Sequence, residues 1–349
     1  MTHTTQNHPF LAACRCEAVP YTPVWLMRQA GRYMEEYRKL RAQYGFLELC
    51  KRPDLAAEIT VTPMERLNVD AAILFADILL ILEPMGVGLE YSKGDGPVIH
   101  RPIRSGKDVD GLREFDPETE ISFVYDAVKT IRKALNDRVP LIGFAGAPFT
   151  LASYLIEGSG SRNYIHTKRL YYTSPEAWHR LMQRLSEVIT AYLNCQIAAG
   201  VQAVQLFDSW AGCLTPVDYE QFVLPYTRSI IAGIAPGIPV IHFSTGTTGL
   251  LKHIRAAGGD VMGLDWRVNL DEGWATLGHD VAVQGNLDPV ALFASPKEIR
   301  RRVADVLDRA EGRPGHIFNL GHGVLPETPV DHVIAMVEAV HELSSRSTT

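Results

Sequence analysis

Cysteine is sparse and has no framework spacing. Cys14, Cys16, Cys50, Cys195 and Cys213 are scattered and odd in number, which argues against a disulfide scaffold and for a reducing, cytoplasmic setting. Cys14 and Cys16 stand too close together for a zinc knuckle, and no second pair follows at ligand spacing. Surplus positive charge is also missing: the formal net charge is −6, so no basic face of the nucleic-acid-binding kind is expected. Long apolar runs are nearly absent. The nearest is 139–156, eighteen residues without a charge, at the lower edge of what spans a bilayer. Pro140, Gly143, Gly146 and Pro148 interrupt it; a strand, a tight loop and a helix start explain it better, and no membrane span is expected. Residues 1–9 are polar and lack the basic start and apolar stretch of a signal peptide. There is no repeat of fixed period, no phosphate-binding P-loop, no G-x-S-x-G elbow and no dinucleotide fingerprint.

What is present is a rhythm. Of 349 residues 46% are hydrophobic, enough for a large core. Short apolar runs at 24–27, 71–75, 141–144, 201–207, 240–243, 261–264, 281–284 and 316–319 number eight. They are continuous rather than alternating, as strands of a parallel sheet buried on both faces must be. Helical patterns separate them: 54–68, 126–135, 174–199 opened by Ser174-Pro175, 215–233 opened by Thr215-Pro216, 295–310 opened by Ser295-Pro296, and 328–343 opened by Thr328-Pro329. Ser or Thr followed by Pro is a helix-start signal. Alternating strand and helix with eight strands predicts an α/β fold, a (β/α)8 TIM barrel, as one domain over 1–349. One stretch breaks the rhythm: in 85–101, Val87, Leu89 and Tyr91 alternate with other residues, Lys93 to Pro97 turn the chain, and Val98-Ile99 return. This predicts a β-hairpin inserted after the second strand.

In a barrel, chemistry gathers where strands end. Polar residues follow all eight runs, among them Arg28 and Arg32, Asp77, Asp208-Ser209, Ser244, Asp265, Asn286 and His322. Two arginines hard against a core strand call for anions; Glu35 or Glu36 could supply them within the chain, or a ligand could. Asp77 is the one polar residue among twelve from 71 to 82. A carboxylate there costs several kcal/mol to desolvate unless partnered; it is either a helix cap or a functional group. Tyr154 could satisfy a core hydrogen bond or touch a ligand, and Ser209 alone says little. His322 lies between Gly321 and Gly323, which would let a ligand approach closely.

Two blocks sharpen this reading. Pro23, Trp25 and Met27-Arg28-Gln29-Ala30-Gly31-Arg32 form one; the other, 143–158, reads GFAGAPFTLASYLIEG. Together, in this order and at this spacing, they resemble the two signatures of the uroporphyrinogen decarboxylase family, over essentially the whole chain. The resemblance implies the same barrel. It implies a substrate-binding set of Arg28, Gln29, Ala30, Gly31, Arg32, Arg41, Asp77, Tyr154, Ser209 and His322, with Asp77 and Arg28 as the catalytic candidates. Met34-Glu35 stand where many relatives have Leu-Pro. Related barrel methyltransferases bind zinc through His-x-Cys at the fifth strand end. Here the corresponding residues are His242-Phe243-Ser244, and no cysteine follows Cys213, so no metal is expected.

The implied reaction removes the four acetate carboxyls of uroporphyrinogen III, a reduced tetrapyrrole, giving coproporphyrinogen III and four CO2 in haem biosynthesis. A pyrrole acetate needs an electron sink to lose CO2. Protonation of the ring carbon creates one, so no cofactor is implied. An ionised Asp77 would face the ring cation, the arginines would hold carboxylate arms, and one of Arg28 and Arg32 or a bound water would deliver protons. A homodimer is the implied assembly. The rival readings are a zinc-dependent methyltransferase and a non-catalytic tetrapyrrole carrier.

Overall fold

The computed structural model describes residues 8–92 and 96–346. Strands β1 (Ala72–Ile73), β4 (Leu141–Gly146), β5 (Ala203–Asp208), β6 (Val240–Ser244), β7 (Val261–Gly263), β8 (Ala282–Gln284) and β9 (His316–Ile317) form one parallel sheet in that order. Each falls within or beside an expected apolar run. The first run, 24–27, forms a single bridge, Val24 to Phe318. The reason is local. Past Trp25, whose N–H donates to the Phe318 carbonyl (3.3 Å), side chains take the backbone donors: Gln29 Oε1 accepts from Leu26 N (3.0 Å) and Asn319 Oδ1 from Met27 N (3.3 Å). The segment nevertheless touches both sheet edges, because Asp70 N donates to the Val24 carbonyl at 2.7 Å and Phe318 N to the Pro23 carbonyl at 2.8 Å. The sheet is therefore curled.

The continuous apolar runs follow from burial on two faces. Trp25, Met27, Ala71, Ile142, Ala203, Ile241, Val261, Ala282 and Ile317 pack on one another inside the curl, joined by Phe10 and Leu11 of the helix Pro9–Cys14. Their neighbours Val24, Leu26, Ala72, Leu141, Val204, Val240, Met262, Val283 and Phe318 face the outer helices. Fully burying each Val, Leu or Ile contributes roughly 1.5–3 kcal/mol, and the polar exceptions on the strands are buried with them: Gln284 accepts from Trp25 Nε1 (2.9 Å) and donates to Gln205 (3.1 Å).

The expected helical patterns are present, with four differences. The one expected over 126–135 starts earlier, at Ser122. The pattern 215–233 divides into Pro216–Phe222 and Leu224–Ala232, because Pro225 has no N–H to give and its ring clashes with the preceding turn. Thr215 and Ser295 cap as expected, but Ser174 makes no capping hydrogen bond. At the last helix Pro329 occupies the capping position in place of Thr328. Glu35 opens the helix Glu35–Gln43, where a carboxylate favours the positive end of the dipole. Strands β2 (Leu89–Ser92) and β3 (Gly96–Ile99) form a separate antiparallel pair, with Leu89 opposite Ile99 and Tyr91 opposite Pro97. The expected turn residues Lys93–Asp95, and Met1–Asn7 of the polar start, lie outside the described residues. No described helix is long and apolar enough to cross a membrane.

Candidate active site

A cavity of about 660 Å3 opens at the C-terminal ends of the strands, within the range of small-molecule sites. Its floor is aromatic. Phe144, Phe207 and Phe243, from adjacent strands, line it and meet edge to face at 5.5 and 5.9 Å. Its rim is polar and brings together Arg28, Ala30, Gly31, Arg32, Arg41, Asp77, Tyr154, Ser209 and His322. Gln29 is the exception among the expected binding residues. It is 1% exposed; its Nε2 donates to the Ala71 carbonyl (3.1 Å) and its Oε1 accepts from Leu26 N. It shapes the loop from beneath and does not line the cavity.

The loop it supports is strained in a useful way. Arg28 adopts φ +61°, a left-handed backbone costing an L-residue about 1–2 kcal/mol. Its aliphatic stem crosses Gly323, where a Cβ would lie 2.4 Å from Arg28 Cδ. Glycine at 323 therefore gives Arg28 its path. The in-chain partners considered for the arginines are engaged elsewhere: Glu35 pairs with Lys39 and Glu36 with Arg66. No ion pair of Arg28 or Arg32 forms among the described residues. Arg28 is exposed, but to the cavity, and burial of its surroundings followed by the Arg32 charge pulls its pKa down while Asp77 pulls it up. Two guanidinium groups that form no ion pair among the described residues make this wall a place for anions. Arg41 is less free: its Nη1 donates to the Tyr44 carbonyl at 2.6 Å and its guanidinium lies 5.8 Å from the Phe46 ring centre.

Asp77 follows β1 and precedes the 3-10 turn Leu80–Met85. Its Oδ1 accepts from Leu79 N (2.8 Å) and from the Tyr91 hydroxyl. The capping alternative does not hold as read: the turn Leu80–Met85 has Leu79 at its cap position with no side-chain cap bond, and Asp77 Oδ1 instead closes a local turn onto Leu79 N. The other carboxylate oxygen has no hydrogen-bond partner among the described residues, and the side chain lines the cavity. Burial raises its pKa, against the lowering pull of Tyr91, the Leu79 amide and Arg28.

The remaining wall holds neutral donors. Tyr154 sits on the helix Pro148–Glu157 and packs on Trp210 with ring centres 3.9 Å apart. Burial, then Asp77, pushes its pKa to about 12, so the hydroxyl keeps its proton. Burial, then Arg28, lowers His322 to about 4; it is a neutral imidazole at pH 7. Below Trp210, buried Asp208 accepts from Thr150 Oγ1 (3.0 Å), and burial raises its pKa to about 7. No cluster of three or more His, Cys, Asp or Glu able to hold a metal occurs among the described residues. His242 is fully buried.

Residue-by-residue reading missed Tyr91, Trp210 and the phenylalanine floor. Only Tyr91 left a signal, the alternation along 87–91 in which it points to the same side as Val87 and Leu89.

Comparison with known proteins agrees. The family model described as uroporphyrinogen decarboxylase (URO-D) matches residues 5–343. A uroporphyrinogen decarboxylase from Carboxydothermus hydrogenoformans is 57% identical, covering 98% of each chain. One from Roseiflexus sp. is 56% identical over 99% of this chain and 100% of its own. Among solved structures, a methyltransferase from Methanosarcina mazei superposes with a TM-score of 0.82 at 20% identity, covering 97% of this chain and 99% of its own. A B12-independent methionine synthase from Shewanella sp. W3-18-1 gives 0.57 at 11% identity, covering 86% and 90%; these two likenesses carry the fold alone. Motifs, curled parallel sheet and near-complete sequence coverage converge, and the chain belongs to the uroporphyrinogen decarboxylase family.

Proposed function

We propose that this chain decarboxylates the four acetate arms of uroporphyrinogen III to methyls, giving coproporphyrinogen III and four CO2. The observation that carries the reading is an aspartate with one oxygen held and one open, beside two arginines with no ion pair among the described residues, in one cavity at the strand ends. The open oxygen of ionised Asp77 accepts hydrogen bonds from pyrrole N–H groups and faces the ring as it becomes cationic. At about 4 Å and an effective dielectric near 20, that attraction is worth roughly 4 kcal/mol, part of the roughly 8–23 kcal/mol an enzyme supplies. Such preorganised charge is the largest common contribution to catalysis. Arg28 and Arg32 hold carboxylate arms, with Arg41 at the outer edge. Arg28, its guanidinium made more acidic by burial and by Arg32, orients the water that protonates the ring carbon. Once CO2 leaves, its bonding pair forms an exocyclic methylene and quenches the ring cation. A second proton adds to that methylene carbon, and the proton first added to the ring carbon leaves to solvent, restoring the pyrrole with a methyl in place of the acetate. Tyr154, Ser209 and neutral His322 donate or accept hydrogen bonds at the remaining arms, and the phenylalanine floor excludes water beneath the ring.

The same reading takes 1–349 as one domain. The 24–27 segment is the first of eight staves of a closed barrel, supported by its bonds to both sheet edges, and the β2–β3 pair is a hairpin inserted after the second stave, β1. It also takes the chain as a cytoplasmic homodimer that binds no nucleic acid. Free thiols at all five cysteines and the exposed apolar side chains of Val290 and Phe293 support this, and two-fold assembly is the commonest form of soluble oligomer.

The test is incubation with freshly reduced uroporphyrin, following the carboxylate count by chromatography. Loss of four carboxyls per ring is expected. A ring that binds and keeps all eight would leave a carrier, and thiol alkylation dependent on zinc would leave a methyltransferase.

A further inference from the structure

Asp77 is held by a residue outside the barrel staves. Tyr91 lies on β2, lines the cavity, and donates its hydroxyl to Asp77 Oδ1, the oxygen that also accepts from Leu79 N. Its ring is fixed in turn. Phe46 packs on it with ring centres 4.7 Å apart, and the Arg41 guanidinium lies over Phe46. The strand pair carrying it is tied to the helix that carries Tyr154: Ile99 N donates to the Gly158 carbonyl (2.7 Å) and Ile103 N to the Leu155 carbonyl (2.9 Å). The position of the hydroxyl is therefore set by packing and not by a free rotamer.

We propose that Tyr91 is a positioning residue for Asp77, clamping one carboxylate oxygen so that the other is presented, ionised, to the pyrrole ring. Two donors on Oδ1 favour the charged form against the burial that opposes it. They also leave the open oxygen as the only one a substrate N–H can reach. Burial moves the phenol's own titration far above the usual range, so it donates at every working pH. The catalytic meaning of this clamp rests on the decarboxylase reading; the clamp itself does not.

Tyr91→Phe separates the two. It keeps the ring on Phe46 and removes only the donor. In protein labelled with 13C-carboxyl aspartate, with the Asp77 signal assigned by its loss in Asp77→Asn, the Asp77 titration is expected to move up by about one pH unit in Tyr91→Phe. The acid limb of kcat/KM on uroporphyrinogen is expected to move with it, lowering kcat/KM about tenfold below the limb. Substrate carboxylates titrate equally in both proteins, so the difference reports the enzyme. An Asp77 titration within about 0.2 unit of wild type overturns the clamp. A shifted titration with an unshifted limb overturns its role in presenting Asp77. Absence of turnover in wild type with a shifted titration sinks the decarboxylase reading and leaves the clamp standing.

Discussion

The two ends of the curled sheet treat polar groups in opposite ways. At the N-terminal end the polar groups that join one strand to the next are hydrogen-bonded. The residue just before one strand accepts the first N–H of a neighbouring segment: Asp70 Oδ2 from Val24 N (2.8 Å), Gln202 Oε1 from Leu141 N (3.1 Å), Asp260 Oδ2 from Val240 N (2.8 Å). Asp70 also accepts from the Tyr21 hydroxyl (2.9 Å) and lies 2.8 Å from His341 Nε2 of the last helix. Arg132 donates to Gln202 and pairs with Asp137. At the C-terminal end Arg28 and Arg32 have no ion partner among the described residues, and one oxygen of Asp77 is open. Both ends come from the same strands, so the contrast lies in the loops. Polar groups bonded across segments hold a fold together, and unmet charge facing a cavity is kept for a ligand.

The contrast can be broken from either side. Asp77→Asn is expected to keep its unfolding midpoint and lose turnover at least about 100-fold; near-normal rates would mean that the open oxygen does not face the reaction. Asp70→Ala is expected to do the reverse. Stranding the Val24 N–H and the Tyr21 hydroxyl costs about 3 kcal/mol in denaturant unfolding, while kcat of the folded fraction stays within about twofold. A third test lies in the packed wall. His316 is buried, its Nε2 lies 3.0 Å from the Gly285 carbonyl, and its Nδ1 has no partner. Burial lowers its pKa from 6.5 to about 4. The unfolded chain therefore binds the extra proton between those values, and this histidine's contribution to stability is present above about pH 6.5 and lost as pH falls towards 4. Between pH 7 and 5 it accounts for about 2 kcal/mol, so His316→Gln should flatten the stability–pH curve by that amount; parallel curves would contradict it. The smallest effects are at the anion wall. Arg28→Ala and Arg32→Ala should each weaken coproporphyrinogen binding about tenfold by titration, with unfolding midpoints little changed, because neither forms an ion pair among the described residues and for Arg28 the repulsion from Arg32 and the attraction to Asp77 oppose one another. Unchanged affinity in both would remove the arginines from the site.

Much of this was legible in advance. The runs at 141–144, 201–207 and 240–243 read as strands because burial on both faces leaves no room for polar alternation. Asp77 stood out because a carboxylate amid eleven apolar residues needs a reason. Pro225 could have split the helix 215–233 on the page, since the missing N–H is a local fact. Gln29 could not be separated from its neighbours in the motif: whether an amide faces cavity or core depends on the Ala71 carbonyl, which lies on the following strand. The partner of Glu36 was equally hidden, since Arg66 is brought to it only by helix packing, whereas Glu35 and Lys39 are an i,i+4 pair that spacing alone could have given.

The sequence by itself determined the order of strands and helices, the family signatures and the aspartate at the second strand end, because periodicity, proline and desolvation act over a few residues. Only the tertiary structure decided that Arg28 and Arg32 form no ion pair among the described residues, that Gln29 turns inward and that Tyr91 reaches Asp77. Those outcomes depend on loops meeting across the mouth of the sheet, and no spacing along the chain encodes a contact made through space.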